Sequence, residues 1–504
     1  MAGKLITLLL FLFAINWFYD YVGMYAYINV RPCSIHSSAQ CQRASIALNY
    51  YETSMDFFKP RVQKYSEMGG VTGVEFPIMY YADALIYKCF GFHENYARLF
   101  SLLVVSFGLL MFYLLAARWL NNRIFAMFVV LSGAASPAFL FYTPNFMPDA
   151  PSVALVLASW YYFFRYYRNP KEKYLLAFFV FACLAALIKV VALISVIALL
   201  CILILDRIGF YKTAEQNRIF KKPWRVLTQA VICILLVLLW YTYANWLAKA
   251  YHNETFSLKP EMGDEGTWNA LVQNVKQLWL YHYYAYESYV LMGISVLVLL
   301  VFARYVSRLL FSITLLFFLG NLAFVFFFLN QFINHDYYII SILPLVFFLF
   351  LTMADALLRF SNVYFLALRP ILFLLILFNF KEAALNCRRN YENRYSNEIY
   401  YWAGDFRPYF DLEPRLRAAG IKRTDLTISG FDDTFCSSLY LMNQIGIPIS
   451  TAHDSLKIKE LIQWEKSKYL ILNDTGRFRS VYPYHFASEI VLTHRGLTVY
   501  RLKH

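Results

Sequence analysis

Residues 36–98 read HSSAQCQRASIALNYYETSMDFFKPRVQKYSEMGGVTGVEFPIMYYADALIYKCFGFHENYAR. This stretch follows the first hydrophobic run of the chain, about Leu5–Val22, and is too polar to cross a bilayer. It is also too rich in aromatic residues, and too clearly punctuated by glycine and proline, to be a plain linker. We therefore interpret it as a folded loop on one face of a membrane protein, where it carries part of a site.

The composition supports a membrane location for the rest of the chain. Of its 504 residues, 60% are hydrophobic and only 15% are charged, whereas soluble proteins have roughly 25% charged residues. Repeated apolar runs of about 18–22 residues predict a polytopic helical membrane protein. The net charge of +14 does not indicate nucleic-acid binding, because the basic residues lie in short loops between apolar runs, where they set the topology.

The apolar runs predict about eleven membrane spans. Loops after even-numbered spans carry most of the arginine and lysine, so they are expected to be cytoplasmic. The loops at 36–98, 143–150, 248–287 and 330–337 then share the opposite face with the C-terminal region. The spans are predicted at about 5–22, 96–120, 124–142, 151–165, 226–247, 288–303, 309–329, 338–358 and 364–380, with two short helices within 174–205 that meet near Lys189.

The composition changes after Phe380, and residues 383–504 resemble a soluble domain. LTISGF, KYLILN and LTVYRL are short β-rich runs, while LEPRLRAAGI and SLKIKELIQWEK have helical spacing. The fold class is thus mostly α: a membrane helical bundle, residues 1–382 with a first outer loop at about 24–95, followed by an extracytoplasmic α/β domain, residues 383–504.

Two acidic residues are candidate catalytic groups on the outer face. Glu75, in GVEFP, lies at a membrane–water boundary, where partial desolvation suits general-base or electrostatic work. The alternative is an ordinary carboxylate at the start of a helix near Pro77. Asp149, in NFMPDAPS, is predicted either to join Glu75 around one substrate or simply to stabilise a helix N-terminus.

Basic and polar residues at the same face are candidate binding groups. Lys189 lies within an apolar run, where a lysine either meets a partner such as a lipid phosphate or extends to the interface. Arg98 either holds a phosphate or pairs with Glu94 on one helical face. His335, Asp336 and Tyr338, in NHDYY, suit a phosphate or sugar hydroxyl, or form a polar collar with interfacial tyrosines.

Several of these stretches resemble one family. EFPIMYYADALIYKCFGFHENYARLFSLL resembles the loop-to-second-span signature of GT-C-fold membrane glycosyltransferases, which include the protein O-mannosyltransferases and the lipid A aminoarabinose transferases. SPAFLFYTPNFMPDAPSVALVLASWYYFFRYYR, LAALIKVVALI and NHDYYIISILP resemble its later motifs. The resemblance covers roughly residues 1–380.

The resemblance implies a GT-C-like bundle and an enzyme that uses a polyprenyl-phosphate-linked sugar. Its acceptor would be a protein, lipid or glycan on the extracytoplasmic face of an inner or plasma membrane. The family implies no cofactor beyond the lipid-linked donor, and no divalent metal is indicated. Glu75 matches the family's loop glutamate and Lys189 a lysine thought to face the donor phosphate.

The chain departs from the family pattern in the first loop. Gln42 occupies the place where the family usually carries an aspartate, and an amide cannot act as a base. Glu75, Asp149 or Asp20 would then take over that role, or the activity is altered. Two other functions stay open: a transporter or flippase of lipid-linked intermediates, which would favour inverted repeats, and a non-catalytic assembly factor.

Overall fold

The structure of the chain is a computed structural model, and it is mostly helical. It divides into two compact units: one comprises residues 1–28, 98–241 and 259–393, and the other comprises residues 29–97, 242–258 and 394–504. The residues that the structure describes are 2–66, 69–211, 218–253, 264–359, 363–396, 406–450, 455–464, 467–481 and 488–502.

The α-helices follow the apolar runs closely along most of the chain. In chain order they are α1 Ala2–Val22, α2 Ser37–Glu52, α3 Ile78–Phe90, α4 Glu94–Leu120, α5 Arg123–Ala134, α6 Pro137–Tyr142, α7 Asp149–Arg168, α8 Glu172–Ile188, α9 Leu193–Arg207, α10 Pro223–Ala250, α11 Glu265–Asn274, α12 Leu280–Tyr283, α13 Tyr286–Val301, α14 Arg308–Phe327, α15 Leu329–Asn334, α16 Leu343–Arg359, α17 Val363–Ser396, α18 Leu412–Ala418, α19 Ser437–Leu441, α20 Ser455–Trp464 and α21 Thr475–Val481.

Several helices are long and apolar enough to cross a membrane. Arg123–Ala134 and Tyr286–Val301 are apolar but shorter. The sequence estimate of about eleven spans therefore stays a prediction, whereas the polytopic helical class is confirmed. Within the described residues, the six helical stretches with sufficient length and hydropathy are Leu5–Val22, Glu94–Leu120, Val190–Arg207, Pro223–Ala250, Arg308–Phe327 and Asp336–Arg359.

Two breaks shape the first unit. The run predicted at 124–142 is divided, because Ser136 caps a new helix by accepting a hydrogen bond from the Phe139 amide and Pro137 occupies its first position. The break predicted near Lys189 is confirmed: α8 ends at Ile188, Lys189 has an extended backbone, and α9 begins after a 3-10 turn, Val190–Ala192. Each break brings a polar segment to the end of an apolar helix.

The helices of the first unit pack closely where small residues face each other. A Cβ added to Gly108 of α4 would lie 2.4 Å from the Ala154 backbone of α7, so glycine permits this approach. The packing leaves α7 mostly buried between its neighbours, with α8 directly beside it. The N-terminal end of α7 is thereby fixed against the C-terminal end of α8.

The second unit contains a five-stranded sheet with strand order β2-β1-β3-β5-β4. β1 pairs in parallel with β2 and β3, and β5 pairs antiparallel with β3 and β4. The β-rich runs LTISGF, KYLILN and LTVYRL form β1, β3 and β5, so these predictions are confirmed. The strands are β1 Thr427–Gly430, β2 Gly446–Ile449, β3 Tyr469–Leu472, β4 Ser488–His494 and β5 Leu497–Leu502.

The first loop and the C-terminal region belong to the same unit and make direct contacts. Gly446 at the start of β2 exchanges backbone hydrogen bonds with Gln63 and Tyr65 of the first loop, at 3.1 and 2.6 Å. Arg423 forms a 2.7 Å ion pair with Glu52 at the end of α2. The C-terminal region of this unit thus contacts the loop that carries Glu75.

Candidate functional site

An ion pair joins Asp149 and Lys189, two of the candidate residues in the first unit. Lys189 Nζ lies 2.9 Å from Asp149 Oδ1, and the Asp149 side chain is only 2% exposed. Asp149 begins α7 and Lys189 follows the last residue of α8, so each charge also stabilises its own helix end. Asp149 therefore lies at the N-terminus of α7, as predicted, and it also contacts Lys189 directly.

The backbone around Lys189 keeps its hydrogen bonds despite the break. The Lys189 amide donates to the Ala185 carbonyl at 2.8 Å, and the Val190 amide donates to the Tyr241 hydroxyl at 3.1 Å. Ser152 of α7 also donates to the Ala185 carbonyl, at 3.0 Å. Because broken helices in a bilayer need such partners, these contacts make the break a stable place for a charged side chain.

Two tyrosine rings lie close to the Lys189 ammonium. Its Nζ lies 5.5 Å from the ring centroid of Tyr337 and 5.5 Å from that of Tyr338, which is within the range of cation–π attraction. The His335 imidazole stacks on both tyrosines, with centroid distances of 5.1 and 5.9 Å. The NHDYY motif and the apolar-run lysine, separated by about 150 residues in sequence, thus form one cluster.

Asp336 is fully buried and lies beneath this cluster. The Tyr142 hydroxyl donates to Asp336 Oδ1 at 2.8 Å, and the Tyr142 and Tyr337 rings are 5.7 Å apart. Burial, followed by the negative charge of Asp336, raises the pKa of the Tyr283 hydroxyl above its ordinary value. The sequence did not predict a role for Tyr142 or Tyr283 near Asp336, because a tyrosine in an aromatic-rich helix is usually a packing residue.

Arg98 is fully buried near the start of α4. Its Nη1 donates to the Pro144 carbonyl at 2.8 Å, and its guanidinium lies 4.9 Å from the Phe146 ring centroid. Glu94, the alternative partner considered for it, pairs with Arg31 at 3.1 Å and accepts from the Tyr440 hydroxyl at 2.6 Å. Arg98 therefore fastens the α6–α7 turn, the segment that leads to Asp149.

Glu75 forms a second polar group, in the other unit. Arg43 Nε lies 3.2 Å from Glu75 Oε1, and the Tyr80 hydroxyl donates to the same oxygen at 2.5 Å. Gln42 joins the group through its side-chain carbonyl, which accepts from Arg43 Nη1 at 3.1 Å. The carboxylate is nearly buried, and these two donors fix its orientation.

The segment before Glu75 is held against the end of α10. A Cβ on Gly73 would lie 2.0 Å from the Ala244 carbonyl oxygen, so only glycine permits this approach. The Thr72 hydroxyl donates to the Asn253 carbonyl at 2.9 Å. Glu75 thus follows a rigid backbone segment and precedes α3, which gives its side chain a defined position.

Arg43 and Tyr80 were missed at the sequence level. Arg43 is adjacent to Gln42, and Tyr80 is five residues after Glu75, but neither spacing by itself predicts a contact. Asp20, the alternative acid, is exposed on α1. Within the described ranges, no three His, Cys, Asp or Glu side chains form a group suited to a metal ion.

Asp83, in the same unit as Glu75, is a buried acidic residue that no motif indicated. It lies on the buried face of α3, one turn after Tyr80, and is only 7% exposed. Its Oδ1 has no hydrogen-bond partner among the residues that the structure describes. Burial raises the pKa of this carboxyl from 3.8 to about 8.

Asp83→Asn is expected to reduce the pH dependence of stability. Between pH 3.8 and about 8 the unfolded chain ionises this carboxyl while the folded protein keeps its proton. The folded state then binds more protons, so the free energy of unfolding falls as pH rises through this window, by at most about 1.4 kcal/mol per pH unit. Thermal unfolding midpoints in detergent at about pH 5 and about pH 8 would measure it, with exposed Asp56→Asn as control. Equal pH slopes for Asp83→Asn and wild type would contradict the expectation.

Comparisons with known proteins find similarity to glycosyltransferases in part of the sequence and in the fold. The profile of the family described as dolichyl-phosphate-mannose-protein mannosyltransferase matches residues 75–241, which include Glu75, Asp149 and Lys189. No curated protein is significantly similar in sequence.

Solved structures extend the similarity to nearly the whole chain. ArnT from Cupriavidus metallidurans superposes with a TM-score of 0.61 at 14% identity, covering 97% of this chain and 98% of ArnT. The oligosaccharyltransferase AglB from Archaeoglobus fulgidus, in complex with an inhibitory peptide and a dolichol-phosphate, gives 0.51 at 11% identity, covering 90% of this chain and 69% of AglB. The arabinofuranosyltransferase AftD from Mycobacteria gives 0.52 at 12% identity, covering 97% of this chain and 40% of AftD. The chain therefore has the GT-C fold of membrane glycosyltransferases, as its motifs predicted.

Proposed function

We propose that the protein transfers a glycosyl group from a polyprenyl-phosphate-linked donor to a protein, lipid or glycan acceptor on the extracytoplasmic face of an inner or plasma membrane. The observation that carries the proposal is the Lys189 ammonium, held by Asp149 beside two tyrosine rings at a helix break. Such a cation, in a fold of glycosyltransferases, suits a lipid-borne phosphate.

Lys189 is assigned to the donor phosphate. An ammonium offers three donors as a compact charge, and Asp149 is one of the partners of this ammonium. The lysine side chain is 21% exposed, and Asp149 offsets the cost of placing the charge near the membrane. Tyr338 and His335 line the same place and would contact the phosphate or the sugar.

Glu75 is assigned to the acceptor as general base. The acceptor oxygen attacks the anomeric carbon of the sugar, the bond from that carbon to the phosphate oxygen breaks, and polyprenyl phosphate leaves with the electron pair. The acceptor's proton passes to the Glu75 carboxylate. Lys189 stabilises the charge of the leaving phosphate, and Asp149 positions Lys189.

The compared proteins support the donor class. AglB was solved with a dolichol-phosphate and an inhibitory peptide, and the matching family is named for a dolichyl-phosphate-mannose donor and a protein acceptor. Both point to a polyprenyl phosphate as carrier.

Release of polyprenyl phosphate tests the proposal directly. Purified protein is incubated with polyprenyl-phosphate sugars, and free polyprenyl phosphate is quantified, which detects transfer to any acceptor. A transporter or flippase would move intact donor between leaflets of vesicles and leave its sugar–phosphate bond uncleaved. An assembly factor would do neither, so cleavage separates the three functions, and its absence across donors and candidate acceptors would overturn the proposal.

The extracytoplasmic position of the second unit predicts the labelling of Cys89. This thiol is exposed on α3, in the same unit as Glu75 and the C-terminal sheet. In intact cells, a membrane-impermeant maleimide added outside is expected to label wild type and not Cys89→Ser. Labelling of Cys89 only after the cytoplasmic side is opened would reverse the proposed orientation.

A further inference from the structure

An exposed aromatic surface in the second unit is not explained by the proposed chemistry. We call it the aromatic rim, and it consists of Phe58, Tyr243 and Trp246. Phe58 is 60% exposed and Trp246 is 58% exposed. The Phe58 and Tyr243 rings are 6.3 Å apart, and the Tyr243 and Trp246 rings stack at 5.8 Å. The three rings therefore form a continuous surface.

The aromatic rim lies at the end of a row of exposed leucines on α10. This helix is long and apolar enough to cross a membrane. Leu235 and Leu239 are 51% and 66% exposed, and Tyr243 follows at the same spacing of four residues. Residues four apart lie on one face of a helix, about 6 Å apart along its axis. An exposed leucine stripe that ends in tyrosine and tryptophan is typical of a span that reaches the headgroup level.

Phe58 is fixed to this position although it belongs to the first loop. The Tyr243 hydroxyl donates to the Phe58 carbonyl at 2.7 Å. The Phe58 amide donates to Asp56 Oδ1 at 3.1 Å, and the Lys59 amide donates to the Asp56 carbonyl at 3.1 Å, which closes a tight turn. The turn presents an exposed phenylalanine beside an exposed lysine, a combination suited to the apolar and anionic layers of a phospholipid surface.

We propose that Phe58 inserts into the headgroup region of the bilayer and, with Tyr243 and Trp246, anchors the first loop to phospholipid. The aromatic rim directly follows the exposed leucine stripe of α10. Because that stripe is expected to face lipid, the adjoining rim is expected to lie at the headgroup level, which favours lipid over a soluble partner. The anchor is joined to the candidate site by packing: the Phe57 ring lies 5.1 Å from Phe76, the residue after Glu75. Any effect of the anchor on catalysis by Glu75 rests on the proposed function. The anchoring of the loop to phospholipid does not depend on that function.

Spin-label depth measurements test the anchor without any enzymatic assay. A nitroxide is attached to Phe58→Cys in the full chain with Cys89→Ser, reconstituted in phosphatidylcholine–phosphatidylglycerol vesicles. Collision rates with oxygen, which concentrates in lipid, and with a nickel chelate, which stays in water, give its depth. Leu239→Cys serves as the lipid benchmark, exposed Ser480→Cys as the water benchmark, and protein without an added cysteine as background.

The label at position 58 is expected to resemble Leu239→Cys in its preference for oxygen over nickel. Nickel accessibility equal to that of Ser480→Cys would overturn the proposal and would favour a soluble partner on the aromatic rim. If Phe58→Cys fails to fold, Lys59→Cys keeps the phenylalanine ring and reports from the adjacent position. Its nitroxide is expected to be at least several-fold less accessible to nickel than that at Ser480→Cys, and equal accessibility there overturns the proposal as well.

Discussion

Glu75→Gln is expected to lower turnover about 100-fold or more while leaving expression unchanged, as for the loss of a general base. Glutamine has nearly the shape of glutamate, and its amide oxygen can still accept from Arg43 and Tyr80. The substitution therefore removes the charge and basicity while retaining much of the packing. Initial rates of polyprenyl phosphate release at saturating donor would measure the effect.

The surroundings of Glu75 predict a graded series. Tyr80→Phe removes the hydroxyl that donates to Glu75 at 2.5 Å, but leaves the base in place, so a smaller loss of turnover is expected. If Tyr80 positions the base, the pH–rate profile of Tyr80→Phe should shift, because the loss of a donor to the charged carboxylate favours its protonated form. A purely structural role would lower stability without moving the profile.

Asp56→Asn is a matched control for Glu75→Gln. Asp56 is an exposed carboxylate of the same loop, and asparagine retains an oxygen that can accept from the Phe58 amide. This variant is expected to turn over like wild type. Near-normal turnover of Glu75→Gln itself would remove Glu75 from the base role and return that role to Asp149 or another acid.

The sequence was sufficient for the architecture because the bilayer imposes simple rules. A span needs about 20 apolar residues, and the runs at 5–22, 96–120 and 226–247 correspond to α1, α4 and α10. The break at Lys189 was also predictable, since a charge within an apolar run is costly without a special environment. The division at Ser136 was missed because both halves of that run are equally apolar.

The contacts of the candidate residues were beyond reach of sequence alone. Asp149 and Lys189 meet because α7 and α8 are antiparallel neighbours, which places the start of one beside the end of the other. Tyr142 and Asp336 are 194 residues apart, and only the packing of the helices joins them. Motifs therefore predicted which residues are unusual, but the partner of each residue depends on three-dimensional neighbours.

Lys189→Ala is expected to raise the apparent KM for the lipid-linked donor roughly 10- to 100-fold, with a smaller effect on the turnover of bound donor. A charged hydrogen bond contributes about 1.5–3 kcal/mol, which corresponds to a change of this size. Lys189→Arg should rescue only partly, because the planar guanidinium is larger and differs in geometry from an ammonium. Donor titration of each purified variant measures both parameters.

The ion pair with Asp149 affects the interpretation of Lys189→Ala, because the substitution also changes the surroundings of Asp149. A double variant at both positions is the control. Removing Lys189 leaves the Asp149 side chain, which is 2% exposed, without this partner, and such a change can cost about 3–5 kcal/mol of stability. The double variant Asp149→Asn with Lys189→Met avoids the isolated charge while keeping the volume of both side chains. A raised KM in this folded double variant would then report the loss of the cation rather than misfolding.

Asp149→Asn alone separates the two partners. It keeps the Lys189 ammonium, so donor affinity should stay closer to wild type than in any variant that lacks the lysine, although a less firmly positioned ammonium should lower turnover. Exposed Lys171→Ala, at the opposite end of α8, should bind donor normally and controls for the loss of a positive charge. If Lys189→Ala and Lys189→Arg both bind donor with wild-type affinity, the lysine merely extends to the interface, and the phosphate must be held by other residues.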